Sequence, residues 1–178
     1  MTNKEGNHKN AVNFLVFQAK RGDKAALQEL YKLFFLPMKR YAAIKTSSAT
    51  VAEDVVQNVW LKISKRIAKL ENDSLFQSWL FRALRWEISD WAKSFHEKNF
   101  ETSDQAGLEE ASNHLDITVV FSAIRGLPDT EGEVVVLHYV NGLSVAETAL
   151  VLSIPEGTVK SRLSRARELL RKSMNESI

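Results

Sequence analysis

The 178-residue chain contains no cysteine, which excludes disulfides and thiolate metal sites. Its histidines, His8, His96, His114 and His138, stand too far apart for a local metal-ligand cluster. Three prolines and seven glycines leave few places where a helix must stop, and no convincing period-2 strand pattern is present. No apolar run approaches the roughly 20 residues of a membrane helix. The opening MTNKEGNHKN also lacks the apolar centre of a signal peptide, so a soluble, cytoplasmic protein is expected. Lys and Arg are missing from Asn99 to Ile124, where Glu101, Asp104, Glu109, Glu110 and Asp116 gather. Nucleophile–base pairings, phosphate loops and metal-ligand spacings are missing too, which leaves an all-helical enzyme with little support and implies no cofactor and no metal.

What is present is apolar content of 44%, enough for a substantial core in one domain or two small ones. A formal charge of +2 discriminates little between partners; the placement of the charges matters more. The most informative stretch is Leu143 to Arg171, LSVAETALVLSIPEGTVKSRLSRARELLR. Val159, Leu163, Ala166 and Leu170 lie at i, i+4, i+7 and i+11, one apolar stripe of an α-helix. Ser161, Ser164, Arg165, Glu168 and Lys172 fall opposite, flanked by Thr158 and Lys160. Pro155 starts that helix, where a missing N–H costs nothing and the opening amides can meet a phosphate. Before it, Ser144 to Leu152 reads as a short helix with Ser144 as N-cap and Ala146, Ala149 and Leu150 inward. Short helix, turn and basic helix together predict a helix-turn-helix that lies on DNA.

Upstream, helices are expected over Asn10–Ala19 and Lys24–Lys45, the second entered through Gly22 and Asp23 and kinked or interrupted by Pro37. A third, Thr50–Leu70, turns Ala52, Val55, Val56, Val59, Ile63, Ile67 and Leu70 inward. Asp54, Gln57, Asn58, Leu61 and Lys65 line its other side, as a solvated face or a helix-docking face would. After the loop Glu71–Ser74 comes a fourth helix, Leu75–Phe95, with Phe76, Leu80, Ala83, Leu84, Ile88 and Trp91 inward. Its other side carries Arg82, Arg85, Trp86, Ser89 and Lys93, cations beside an indole that suit single-stranded nucleic acid, although Trp86 could equally pack on the N-terminal helices. Glu87 falls on the apolar side of this helix without explanation. The polar, acidic segment from Asn99 reads as a linker, followed by a helix over Leu115–Arg125, a break at Gly126–Asp129 and a buried helix, rather than an unpaired strand, over Val134–Val140. The fold class expected is all-α, two small helical domains joined by a flexible acidic linker.

Three blocks of this sequence resemble the bacterial sigma factors of the sigma-70 family, in the compact extracytoplasmic-function group. They are AEDVVQNVWLKI (Ala52–Ile63), FQSWLFRALRWEISDWAK (Phe76–Lys93) and GLPDTEGEVVVLHYVNGLSVAETALVLSIPEGTVKSRLSRARELL (Gly126–Leu170). The resemblance covers roughly Ala19 to Lys172, and GTVKSRLSRAR is its most specific part. It implies region 2 over residues 10–98, a linker over 99–114 and region 4 over 115–174. It also implies a promoter-specificity subunit of RNA polymerase, not an enzyme in itself. By that likeness Asp54, Gln57, Asn58 and Leu61 dock on the clamp helices of the largest polymerase subunit, and the polymerase flap is a further contact. Asn72, Asp73 and Ser74, with Arg82, Arg85, Trp86 and Lys93, capture the unpaired minus-ten strand. Lys160, Ser161, Ser164 and Arg165 approach base edges of the minus-thirty-five element, while Thr158, Arg162 and Arg167 approach its phosphates. An anti-sigma partner is implied as well. This chain departs from the family pattern at Asn58, commonly acidic; Trp86, commonly Asn; Thr148, commonly aliphatic; and Ser153, commonly Gly. Ser153 is compatible with the turn if its φ stays negative. A conventional helix-turn-helix regulator, binding a palindromic operator without polymerase, is the alternative.

Overall fold

A computed structural model describes residues 2–99 and 122–176, and every regular element among them is helical. The chain divides into two compact units, Met1–Gly107 and Leu108–Ile178. Of the expected linker, only Asn99 falls within the described residues, where it ends a helix. The start of the expected helix Leu115–Arg125 also lies outside them; residues 122–125 are helical.

In the first unit, α1 (Thr2–Lys20) starts well before the expected Asn10. It leads through Gly22, at φ 92°, to Asp23, whose carboxylate accepts from the Ala25 and Ala26 amides and opens α2 (Lys24–Thr46). Helix α2 buries Ala26, Leu30, Phe34, Met38, Tyr41 and Ala42, a stripe repeating every three or four residues. Truncating Leu30, Phe34 or Met38 to alanine would cost on the order of 2–5 kcal/mol. That stripe continues on both sides of Pro37, and the helix runs through the proline without interruption. The carbonyl deprived of its donor belongs to Leu33, on the exposed side, where water can satisfy it. Ser48 caps α3 (Ala49–Arg66), which buries Ala52, Val55, Val56, Val59, Trp60 and Ile63. Its last turn tightens into a 3₁₀ segment, Ile67–Lys69, so the α-helix stops short of the expected Leu70.

A second 3₁₀ turn, Asp73–Leu75, precedes α4 (Phe76–Asn99). Phe76, Leu80, Phe81 and Leu84 of α4 are buried, whereas Ala83, Ile88 and Trp91 are only half-buried. Edge-to-face pairs lock the unit: Phe34 with Phe76 at 5.7 Å, Tyr41 with Phe81 at 5.9 Å and Tyr31 with Trp60 at 5.4 Å between centroids. Phe81 was not among the expected inward residues. It sits one place beyond Leu80, and a stripe drawn at i, i+4 spacing passes over it.

In the second unit, α5 (Asp129–Val135) passes into a π-turn, Val136–Val140. Gly132 lets the 122–125 turn lie close, since a Cβ there would meet the Ile124 carbonyl oxygen at 3.3 Å. The Val134–Val140 run is helical, as expected, but burial ends at Leu137 and Tyr139 is exposed. Ser144 caps α6 (Val145–Leu152) through a reciprocal box, its hydroxyl accepting from the Glu147 amide and the Glu147 carboxylate accepting from the Ser144 amide. Thr148, Ala149, Val151 and Leu152 face inward, while Ala146 and Leu150, expected inside, are exposed. Ser153 ends α6 at φ 56°, ψ 44°, so the turn does use a left-handed residue and the negative φ expected for a non-glycine is not observed. Helix α7 (Glu156–Glu176) follows.

Candidate nucleic-acid interface

The Pro155 carbonyl accepts from the Thr158 and Val159 amides, so proline stands one place before α7, in the capping position rather than in its first turn. Val159, Leu163 and Ala166 are buried and Leu170 is half-buried, which fixes the rotation of the helix. Lys160, Ser161, Ser164, Arg165 and Arg167 are therefore exposed on its other side; Thr158 and Arg162 are half-buried at the flanks. The Ser161 hydroxyl donates to the Thr158 carbonyl at 2.9 Å, which leaves its oxygen lone pairs to accept from a base amino group. Arg165 comes within 3.5 Å of Glu131 through its Nε.

In the first unit, Asp54, Gln57, Asn58, Leu61 and Lys65 form one exposed stripe on α3, with Leu61 62% exposed. Beside it Leu27, Tyr31, Gln57, Trp60 and Leu61 line a groove of about 420 Å³ between α2 and α3. A polar stripe edged by an exposed leucine and an apolar groove suits a helical partner.

The loop before α4 is built by three of the residues expected to bind DNA, Asn72, Asp73 and Ser74. The Asn72 Oδ1 accepts from the Ser74 amide at 3.0 Å and the Ser74 hydroxyl at 2.6 Å, leaving the Asn72 Nδ2 hydrogens as donors. The Asp73 carboxylate holds Lys20 Nζ at 2.7 Å, which ties the loop to the end of α1. Next to this loop lies a concavity of about 570 Å³ lined by Arg66, Lys69, Leu70, Glu71, Asn72, Leu75 and Trp79. Arg66, Lys69 and Trp79 were not expected from sequence. The available signal was two cations in the last turns of α3 and a tryptophan three residues into α4.

On α4, Arg82, Trp86, Ser89 and Lys93 are exposed, Trp86 at 64%, while Arg85 is half-buried rather than facing solvent. The 64% exposure of Trp86 sets aside its packing on the N-terminal helices. Glu87 is explained by Lys62 of α3, whose ammonium pairs with its carboxylate across the two helices. An apolar-side glutamate is thereby neutralised where α3 meets α4.

Residues 118–170 match the family described as Sigma-70, region 4. The chain is 25% identical over 176 residues to the ECF RNA polymerase sigma factor SigW of Bacillus subtilis (strain 168), covering 89% of this chain and 94% of that protein. It is 28% identical over 175 residues to the ECF RNA polymerase sigma-E factor of Escherichia coli (strain K12), covering 88% and 90%. Among solved structures it is similar to the sigma factor RpoE of Bartonella quintana, in complex with the anti-sigma factor NepR. There the TM-score is 0.66 and the identity 25%, over 83% of this chain and 98% of that one. CnrH, solved with the cytosolic domain of CnrY, shares the fold at a TM-score of 0.71 and 24% identity, over 94% and 99% of the two chains.

Proposed function

We infer that this chain is a sigma-70 family factor of the extracytoplasmic-function type, which binds core RNA polymerase and directs promoter recognition, DNA melting and transcription initiation. The observation that carries the reading is the helix-turn-helix of α6 and α7, capped, turned and faced for DNA, inside the stretch similar to sigma region 4. Its role is to confer specificity in the cytoplasm while the polymerase supplies catalysis. Among the described residues no helix is long and apolar enough to cross a membrane.

Region 2 comprises residues 10–98, the linker 99–114 and region 4 residues 115–174 in this proposal. Asp54, Gln57, Asn58 and Leu61 dock on the clamp helices of polymerase, with the neighbouring groove taking apolar side chains of the partner. The concavity of about 570 Å³ beside the Asn72–Ser74 loop has room for an extruded base and offers it a ring to stack on, the Asn72 amide for its edge and two cations for its phosphates, which outnumber the one carboxylate there, Glu71. Arg82, Trp86 and Lys93 guide the rest of the displaced strand, with Arg85 supporting them from its half-buried position. Melting follows from capture: unstacking a base costs a few kcal/mol, and binding it outside the duplex offsets that cost.

On region 4, Lys160, Ser161, Ser164 and Arg165 read base edges in the major groove, and Thr158, Arg162 and Arg167 hold phosphates. Each reading module is small, so affinity arises once polymerase, held in part through its flap, fixes their separation and raises their effective concentration. An anti-sigma partner is part of the proposal, supported by the similar RpoE structure, in which such a partner is bound. It would cover the α3 stripe and its groove. Reconstitution with core RNA polymerase on a randomised promoter library tests the whole reading. Transcripts that depend on this chain and select two separate sequence blocks are expected; transcription indifferent to its presence would overturn it.

A further inference from the structure

Glu131 is an acidic residue with only 6% of its side chain exposed, yet it lies against the DNA-facing side of α7. A carboxylate there works against phosphate binding unless a cation answers it. Both of its oxygens are engaged. The Thr130 hydroxyl donates to Oε2 at 2.6 Å, and Oε1 faces Arg165 at 3.5 Å. The approach is made through Nε of the arginine, whose side chain is otherwise 70% exposed.

That choice of atom has a chemical consequence. A guanidinium presents two edges, one running through Nε and one formed by the two terminal amino groups. With Glu131 nearest Nε, the terminal fork is the edge not taken up by the carboxylate, on a side chain that is mostly exposed. A fork of two N–H donors matches the O6 and N7 acceptors of guanine in the major groove and no other base edge equally well. We propose that Glu131 is a positioning residue for promoter recognition: it holds Arg165 through Nε so that the terminal fork reads one guanine of the upstream element. Thr130 completes the relay by orienting the carboxylate. Glu131 sits in the first turn of α5 and Arg165 on α7, so the aim of the reading side chain is set by the packing of those two helices.

This inference rests on α7 being the groove-reading helix, and the test separates the two. Holoenzyme assembled from core RNA polymerase and the full chain is run on a library randomised across the upstream element, and discrimination is scored at each position. Absence of any upstream preference with the parent chain would overturn both readings. A preference that Arg165→Ala leaves intact at every guanine would overturn this inference alone. Arg165→Ala is expected to lose about five- to 150-fold discrimination at one guanine. Glu131→Gln should lower discrimination at that same position about threefold or more and leave the others unchanged. Combined with Arg165→Ala it should add nothing further there. Arg167→Ala, for comparison, weakens all sequences alike.

An unchanged profile for Glu131→Gln, a uniform loss or additive effects in the double variant would overturn the positioning role. A rise in discrimination would too, because the carboxylate would then be competing with DNA. Should Glu131→Gln fail to fold, Thr130→Val at its exposed neighbouring position serves instead. It is expected to cost about twofold at the same guanine, roughly the loss of one weak hydrogen bond; no effect there would overturn the relay.

Discussion

The ammonium of Lys20, at the end of α1, meets the carboxylate of Asp73 at 2.7 Å, across 53 residues of sequence. The pair fixes one end of the loop that borders the concavity of about 570 Å³, and it does so from a helix that packs on the two 3₁₀ turns flanking that loop.

Asp73→Asn should therefore act on the loop more than on the fold. Asparagine keeps an oxygen to which Lys20 can donate, so the loss of global stability should be on the order of 1 kcal/mol. Local opening is a different quantity, and amide exchange at Ser74 and Leu75 should accelerate several-fold while that of α2 stays slow. Promoter opening should fall with core polymerase binding unchanged. Loss of opening with unaltered exchange would assign the carboxylate a direct role with DNA.

Ser153 occupies the left-handed region at φ 56°, where a Cβ costs about 1 kcal/mol and glycine does not. Ser153→Gly is expected to raise the urea midpoint by an amount equivalent to about 0.5–1 kcal/mol, reduced by the greater freedom of glycine in the unfolded chain. The hydrogen bond from the residue-153 amide to the Ala149 carbonyl is retained in either case. Destabilisation would mean that the serine side chain supports the turn.

Trp86 is 64% exposed, so Trp86→Ala should shift stability by under about 0.5 kcal/mol. Removing a ring that stacks on a base costs roughly 1–3 kcal/mol of binding. Fluorescence anisotropy of a single-stranded minus-ten oligonucleotide on the holoenzyme reports this directly. Equal affinity for parent and variant would remove Trp86 from the strand path.

Asp54→Ala with Gln57→Ala alters two exposed positions of α3 and should leave the melting transition in place. It should weaken association with core polymerase, measured by competition against the parent chain. An unchanged competition curve would place the docking face elsewhere.

Long helices were legible in the sequence because several turns of apolar spacing fix a rotation. Helix α3 is the clearest case, with Val55, Val56, Val59 and Ile63 buried and Asp54, Gln57, Asn58 and Leu61 exposed. Helix α6 spans only eight residues, about two turns. Two turns do not settle a phase, so Ala146 and Leu150 were expected inside while Thr148 and Val151 occupy the core. Pro37 was expected to kink or interrupt α2, and the interruption is not observed, because the packing of Phe34 and Met38 on either side outweighs local propensity. Pairs between distant positions, Lys20 with Asp73, Lys62 with Glu87 and Arg165 with Glu131, carry no local signal at all. For the same reason the Arg66, Lys69 and Trp79 concavity emerged only once the end of α3 and the start of α4 were brought side by side.

Promoter binding with and without polymerase tests the central claim most directly. A promoter selected by the holoenzyme is labelled at the minus-ten element with a base whose fluorescence rises on unstacking, and is titrated with this chain alone or with the chain bound to core polymerase. Two small modules lacking their scaffold predict weak, salt-sensitive binding and no unstacking for the chain alone, with tight binding and full unstacking for the holoenzyme. Tight, sequence-specific binding of the duplex by the free chain, unimproved by core polymerase, would contradict the account.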